Sequence, residues 1–156
     1  MSQASSPIRG RHPEHPARQT RIGIDLVRLS AIERSMADFG ARFTSRLFAP
    51  AELRDATVDG RLDARALAAR FAAKEAAIKA FGLPQAGVAW SQIEVRAAPG
   101  AEGPGRMVLT GRAAESAAGC GAYEIAVTWS QQGDLACAIV VAAPVEATAA
   151  AAAANE

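Results

Sequence analysis

Residues 67–82 form a segment that is apolar almost all the way round a helix. At about 100° per residue, Leu67, Phe71, Ile78 and Phe81 fall on one face. Ala69, Ala73, Ala76, Ala77 and Ala80 fill much of the opposite arc. A helix of this kind is buried on more than one side. The helical signal begins near residue 62 and stops at Gly82, with Pro84 beyond it. Yet the segment carries Arg70, Lys74, Glu75 and Lys79, and Lys74 lies within the apolar stripe. Charges on a mostly buried helix need partners or a ligand. Two ordinary explanations stand beside a ligand. Glu75 and Lys79 are four residues apart in the favourable order, worth roughly 0.2–0.5 kcal/mol. Lys and Arg stems also run along apolar surface with their charges in water.

A second anomaly lies far upstream. Ile22-Gly23-Ile24-Asp25-Leu26-Val27 reads as a strand, with Ile22, Ile24 and Leu26 alternating on one face. Asp is depleted in such strands. Asp25 either bonds a backbone N–H near a strand end or serves a site. Taken together, Asp25 and Glu75 are two hard oxygen donors of the kind that hold Mg²⁺ with substrate phosphates and water. Lys79 and Arg70 would supply the positive charge that phosphates need. Composition and spacing together therefore reach as far as a metal–phosphate site, a signal of modest specificity.

The rest of the chain frames this pair. Its 156 residues suit one domain, able to bury roughly 68–70% of its unfolded surface. A formal net charge of +1 gives no general pull toward nucleic acid. The two cysteines, Cys120 and Cys137, form no CxxC and read as small apolar residues in a reducing cytoplasm. No apolar run reaches the ~18 residues of a membrane span. The first 20 residues lack the apolar core of a signal peptide, so a soluble cytoplasmic protein is expected. That segment and residues 144–156, which include an alanine run, read as loose tails around a domain of about 21–143.

Short helices are expected over 30–39 and 41–48, and one starting at Pro50 and ending before Gly60. Strands are expected at 93–95 and 107–109, on either side of a Gly- and Pro-rich loop over 99–105. A helix at 111–119 precedes a second hairpin, 123–129 and 135–141, turning at 131–134. One strand, then helices, then mostly strands makes an α+β domain.

The segment Arg70-Phe71-Ala72-Ala73-Lys74-Glu75-Ala76-Ala77-Ile78-Lys79-Ala80-Phe81-Gly82 closely resembles the small bacterial holo-acyl-carrier-protein synthases of the phosphopantetheinyl transferase superfamily. Gly23-Ile24-Asp25-Leu26-Val27 resembles their N-terminal motif, at the usual distance. Arg42-Phe43, Arg46-Leu47-Phe48 and Glu52 also match, and Val127-Thr128-Trp129 and Ala136-Cys137-Ala138 match more weakly. The resemblance spans about 21–143. It implies transfer of 4′-phosphopantetheine from coenzyme A to a serine of an apo acyl carrier protein, with Mg²⁺. Asp25 and Glu75 match the metal ligands, and Glu75 and Lys79 the catalytic pair. Arg70, Lys74, Lys79 and Gly82 match positions around coenzyme A. The resemblance also implies a long helix on an antiparallel sheet and a homotrimer with sites at its interfaces. Arg28, Arg34, Arg42 and Arg46 are the candidates for docking the acidic recognition helix of the carrier.

The chain departs from the family at four places. Arg28 stands where a Glu is usual, three residues after the motif aspartate. Ser30-Ala31-Ile32 stands where an Arg is common. Gly103-Pro104-Gly105-Arg106 replaces a Gly-Lys-Pro turn. Val127-Thr128-Trp129-Ser130 lacks the histidine many members carry. Both histidines, His12 and His15, lie in the N-terminal tail, which excludes a histidine base in the domain. These departures keep a rival open, a module that binds carrier or coenzyme A without catalysis. A different magnesium-dependent phosphotransfer enzyme is another. A purely structural domain would leave Asp25 and the charged helix unexplained.

Overall fold

The computed structural model describes residues 19–84, 87–97 and 104–145. The two expected loose tails fall almost wholly outside these residues, as does most of the 99–105 loop. Strand β1 (Arg21–Arg28) runs directly into helix α1 (Leu29–Phe39). Helices α2 (Ala41–Leu47) and α3 (Pro50–Asp55) follow. A two-residue ribbon, β2 (Thr57–Val58) with β3 (Arg61–Leu62), leads into the long helix α4 (Ala64–Phe81). Next come β4 (Ile93–Arg96), β5 (Arg106–Leu109), α5 (Gly111–Ala118), β6 (Tyr123–Gln132) and β7 (Leu135–Pro144). The α+β class is as the sequence predicts, and so is the order of the elements apart from the β2–β3 ribbon, which takes the place of the end of the helix expected from Pro50. The longest helix starts two residues later than expected, because residue 62 belongs to β3.

The main sheet is antiparallel, in the order β1-β7-β6. Asp25 stands opposite Ala138, and Leu26 opposite Cys137. The β4–β5 ribbon joins its β6 edge through a bridge between Gly105 and Val127. There a Cβ on Gly105 would lie 2.4 Å from the Trp129 ring, so the indole requires a glycine at that position.

Helix α4 lies across β1 and β7. Asp63 caps its start by accepting a 2.9 Å bond from the Arg65 amide. Gly82 ends it in the left-handed conformation, at φ 61°. The alanines do most of the packing: Ala68, Ala72, Ala73, Ala76 and Ala77 are fully buried, whereas the bulkier Phe71 and Ile78 are only half-buried. Small side chains let the helix settle close to the sheet. At Gly23 the approach is backbone to backbone, and a Cβ there would lie 1.8 Å from the Ala76 carbonyl oxygen.

The face of β1 that meets α4 is therefore Gly23, Asp25 and Val27. Its apolar alternation points the other way, leaving Ile22, Ile24 and Leu26 at 66%, 56% and 58% exposure. Leu135 and Ile139 of β7 share that outer face and are also exposed. No helix among the described residues is long and apolar enough to cross a membrane.

Candidate active site

Because the inward face of β1 holds Asp25, the strand presents one carboxylate to the helix that crosses it. The Asp25 side chain is 16% exposed and pairs with Lys79, whose Nζ lies 2.6 Å from Oδ1. The same ammonium donates to the Ile24 carbonyl at 3.1 Å. Lys79 thus turns across to the strand, and its ion pair is with Asp25 rather than with Glu75 one turn back along α4. The Asp25 bond raises the Lys79 ammonium above its ordinary value. Glu75 shares this neighbourhood. Burial, and then the charge of Asp25, push its carboxyl up, while Lys79 pulls it down. Asp25 and Glu75 thus bring carboxylate oxygens to one neighbourhood, with the Lys79 ammonium bonded to Asp25. That donor chemistry fits a small divalent cation such as Mg²⁺, completed by phosphate and water oxygens.

Glu75 also lies on the edge of a cavity of about 240 Å³. Ile78, Pro84, Val88, Trp90 and Ile93 complete its lining. Phe71 stacks on Trp90 with ring centroids 5.1 Å apart and holds that wall in place. Gly82, at the helix end, is exposed, and a Cβ there would meet nothing within 4 Å.

The structure corrects two residues of the motif. Lys74 does not reach any surface where coenzyme A could meet it. Its ammonium is fully buried, 2.7 Å from Glu52 Oε2. It also donates to the Trp90 and Ile93 carbonyls, which uses all three of its donors. Glu52, itself fully buried, accepts further bonds from the Ala49 amide at 2.7 Å and the Val95 amide at 3.0 Å. Burial pushes Lys74 down and Glu52 up, and each charge opposes the shift of the other. The pair joins α3, α4 and β4 rather than binding ligand. Arg70 is likewise buried, donating to the Ala66 and Ala97 carbonyls at 3.0 Å each. Burial lowers its guanidinium. Its Nε has no partner among the described residues. Of the motif's three basic residues, Lys79 alone faces solvent.

Sequence reasoning singled out Lys74 but not the function of Glu52. The signal was present: a lysine in an apolar stripe requires a buried acid. Periodicity does not say which acid.

Arg28, Arg34, Arg42 and Arg46 are all exposed. Arg42 and Arg46 flank Phe39 and Phe43 around a shallow recess on α1 and α2. Arg28 ends β1 at the N-cap of α1, and Arg34 lies midway along that helix. The four arginines thus lie between the end of β1 and α2.

Comparison with known proteins identifies the family and the fold. Residues 21–140 match the ACPS model of the 4′-phosphopantetheinyl transferase superfamily. The holo-[acyl-carrier-protein] synthase of Desulforudis audaxviator is 41% identical over 121 residues, spanning 78% of this chain and 90% of that one. That of Anaeromyxobacter dehalogenans is 42% identical over 124 residues, spanning 77% and 92%. Among solved structures, a Chronobacterium ammoniagenes ACPS–CoA complex superposes with a TM-score of 0.69 and 28% identity, covering 82% of this chain and 99% of the other. The Mycobacterium tuberculosis acyl carrier protein synthase gives 0.58 at 34% identity, covering 80% and 97%. The match over residues 21–140 and the similarity to these relatives make the chain a phosphopantetheinyl transferase. Within that superfamily the chain belongs to the ACPS family, alongside the holo-acyl-carrier-protein synthases.

Proposed function

We propose that this protein transfers 4′-phosphopantetheine from coenzyme A to a serine hydroxyl of an apo acyl carrier protein. The observation that carries the reading is the group formed by Asp25, Glu75 and Lys79, placed by one strand and one helix that touch through their backbones. Asp25 and Glu75 would hold Mg²⁺, which would supply charge neutralisation for the pyrophosphate. The serine oxygen attacks the phosphorus that bears the pantetheine arm. The bond to the bridging pyrophosphate oxygen breaks, and 3′,5′-ADP leaves. Positioning and charge dominate such a transfer. Lys79 offsets the negative charge that builds on the transferred group. Glu75 takes the serine proton directly or through water. The cavity beside Glu75 and the open backbone at Gly82 give coenzyme A room to lie along α4.

The exposed arginines Arg28, Arg34, Arg42 and Arg46 suit an acidic helix of the carrier. The uncovered apolar face of the main sheet suits further copies of the same chain, in keeping with a homotrimer. The test is an intact-mass measurement of an apo carrier incubated with the protein, coenzyme A and Mg²⁺. A gain of one phosphopantetheine, abolished by EDTA, is expected. Binding of several carriers without any gain in mass would overturn catalysis.

A further inference from the structure

Helix α1 begins without a cap of its own. Arg28 occupies the N-cap position and makes no side-chain bond to the helix, and no acid lies in the first turn. The free amides are instead met from the far end of the chain. The Leu29 amide donates to the Asp134 carbonyl at 2.8 Å. The Ser30 amide donates to Asp134 Oδ1 at 2.8 Å, and the Ser30 hydroxyl donates to Oδ2 at 2.9 Å. Arg28 approaches the same carboxylate at 3.8 Å. Asp134 sits in the two-residue turn between β6 and β7, next to Leu135, which pairs with Arg28. Gly133 takes the positive φ of 57° that this turn requires. The bonds from Ser30 hold the Asp134 carboxyl below the ordinary range. The hairpin of the main sheet thus acts as a remote cap for the helix that carries Arg34.

We propose that Asp134 is a positioning residue for carrier recognition, fixing α1 against the sheet so that Arg34, and Arg28 at its N-cap, stand at a set distance from Asp25. This rests on the proposed transfer reaction. Arg28 lies three positions after Asp25, so α1 and the site share one short connection. An unpinned first turn would let the docking face move while leaving the cavity beside Glu75 alone, because that cavity is lined by Glu75 and Ile78 of α4 with Pro84, Val88, Trp90 and Ile93.

The test compares Asp134→Ala and Asp134→Asn in the full chain. Asn can accept from the Ser30 amide and donate to its hydroxyl, and it caps about as well as Asp, but it carries no charge. Steady-state transfer assays would vary the apo carrier and coenzyme A separately. Asp134→Ala should raise KM for the carrier roughly fivefold, the size an ordinary lost cap gives, with KM for coenzyme A unchanged. Asp134→Asn should stay within about twofold of the parent. Equal shifts in the two variants would mean that only the charge matters, and would overturn the proposal. So would a rise in both KM values together. Hydrogen exchange at the Ser30 amide decides the anchor without turnover. Protection should be lost in Ala and kept in Asn, and equal protection in all three proteins would overturn it. Failure of the parent to modify any carrier would instead remove the transfer reading, and the exchange result would still stand.

Discussion

At the scale of single residues, the site separates two kinds of charge that look alike in the sequence. Lys74 and Lys79 lie five positions apart on one helix, yet one is sealed inside and the other is 53% exposed. Glu52 and Glu75 divide in the same way. One accepts bonds from buried amides, and the other borders a cavity. The division follows from what each helix face meets. Glu75→Gln removes a charge at the cavity edge and nothing that holds the core. Transfer should be lost while the melting temperature stays within a few degrees of the parent, as mass spectrometry of the carrier and a thermal scan would show. Near-normal transfer would exclude Glu75 as an essential ligand or base. Asp25 and Glu75 were both legible in the sequence, because a carboxylate in an apolar strand and charges on an apolar helix each demand a reason. The inward turn of Lys74 and Arg70 was not legible, because it depends on carbonyls of residues 66, 90, 93 and 97 that no side-chain pattern reveals.

At the scale of elements, the succession of strands and helices follows closely from periodicity and from Gly and Pro positions. Which side of β1 is covered does not. The large alternating residues Ile22, Ile24 and Leu26 mark a face, and the opposite face, with no bulk at Gly23, is the one that receives α4. The helix behaves the same way, its alanine arc lying deeper than Phe71 and Ile78. A close approach of backbones needs small residues on both elements, so the deepest contact is the least conspicuous in a hydrophobicity pattern. Gly23→Ala should cost about 1–3 kcal/mol or more in urea unfolding, because neither backbone can yield cheaply. It should also depress transfer by displacing Asp25, and unchanged stability would contradict the contact. Lys74→Ala should cost about 3–5 kcal/mol by leaving Glu52 charged and alone. The double replacement Lys74→Met with Glu52→Leu should recover part of that loss, the rest reflecting the Ala49 and Val95 amides left without an acceptor.

At the scale of the whole molecule, the described residues cover the main sheet on one side only. The other side carries Ile22, Ile24, Leu26 and Ile139 in adjacent register, a patch that a stable monomer seldom leaves in water. With further copies as the covering, Ile24→Glu should hold the protein as a monomer in sedimentation velocity while the parent sediments as a trimer. A monomeric parent would remove that reading of the face. The contact between Gly23 and Ala76 has a consequence at this scale too. Side chains can change rotamer and let a site breathe, but two main chains in van der Waals contact have no rotamer to change. The gap between the strand that holds Asp25 and the helix that holds Glu75 and Lys79 is therefore a built-in gauge, cut to atomic radii. Substitutions elsewhere can alter what surrounds that gap without resetting its width.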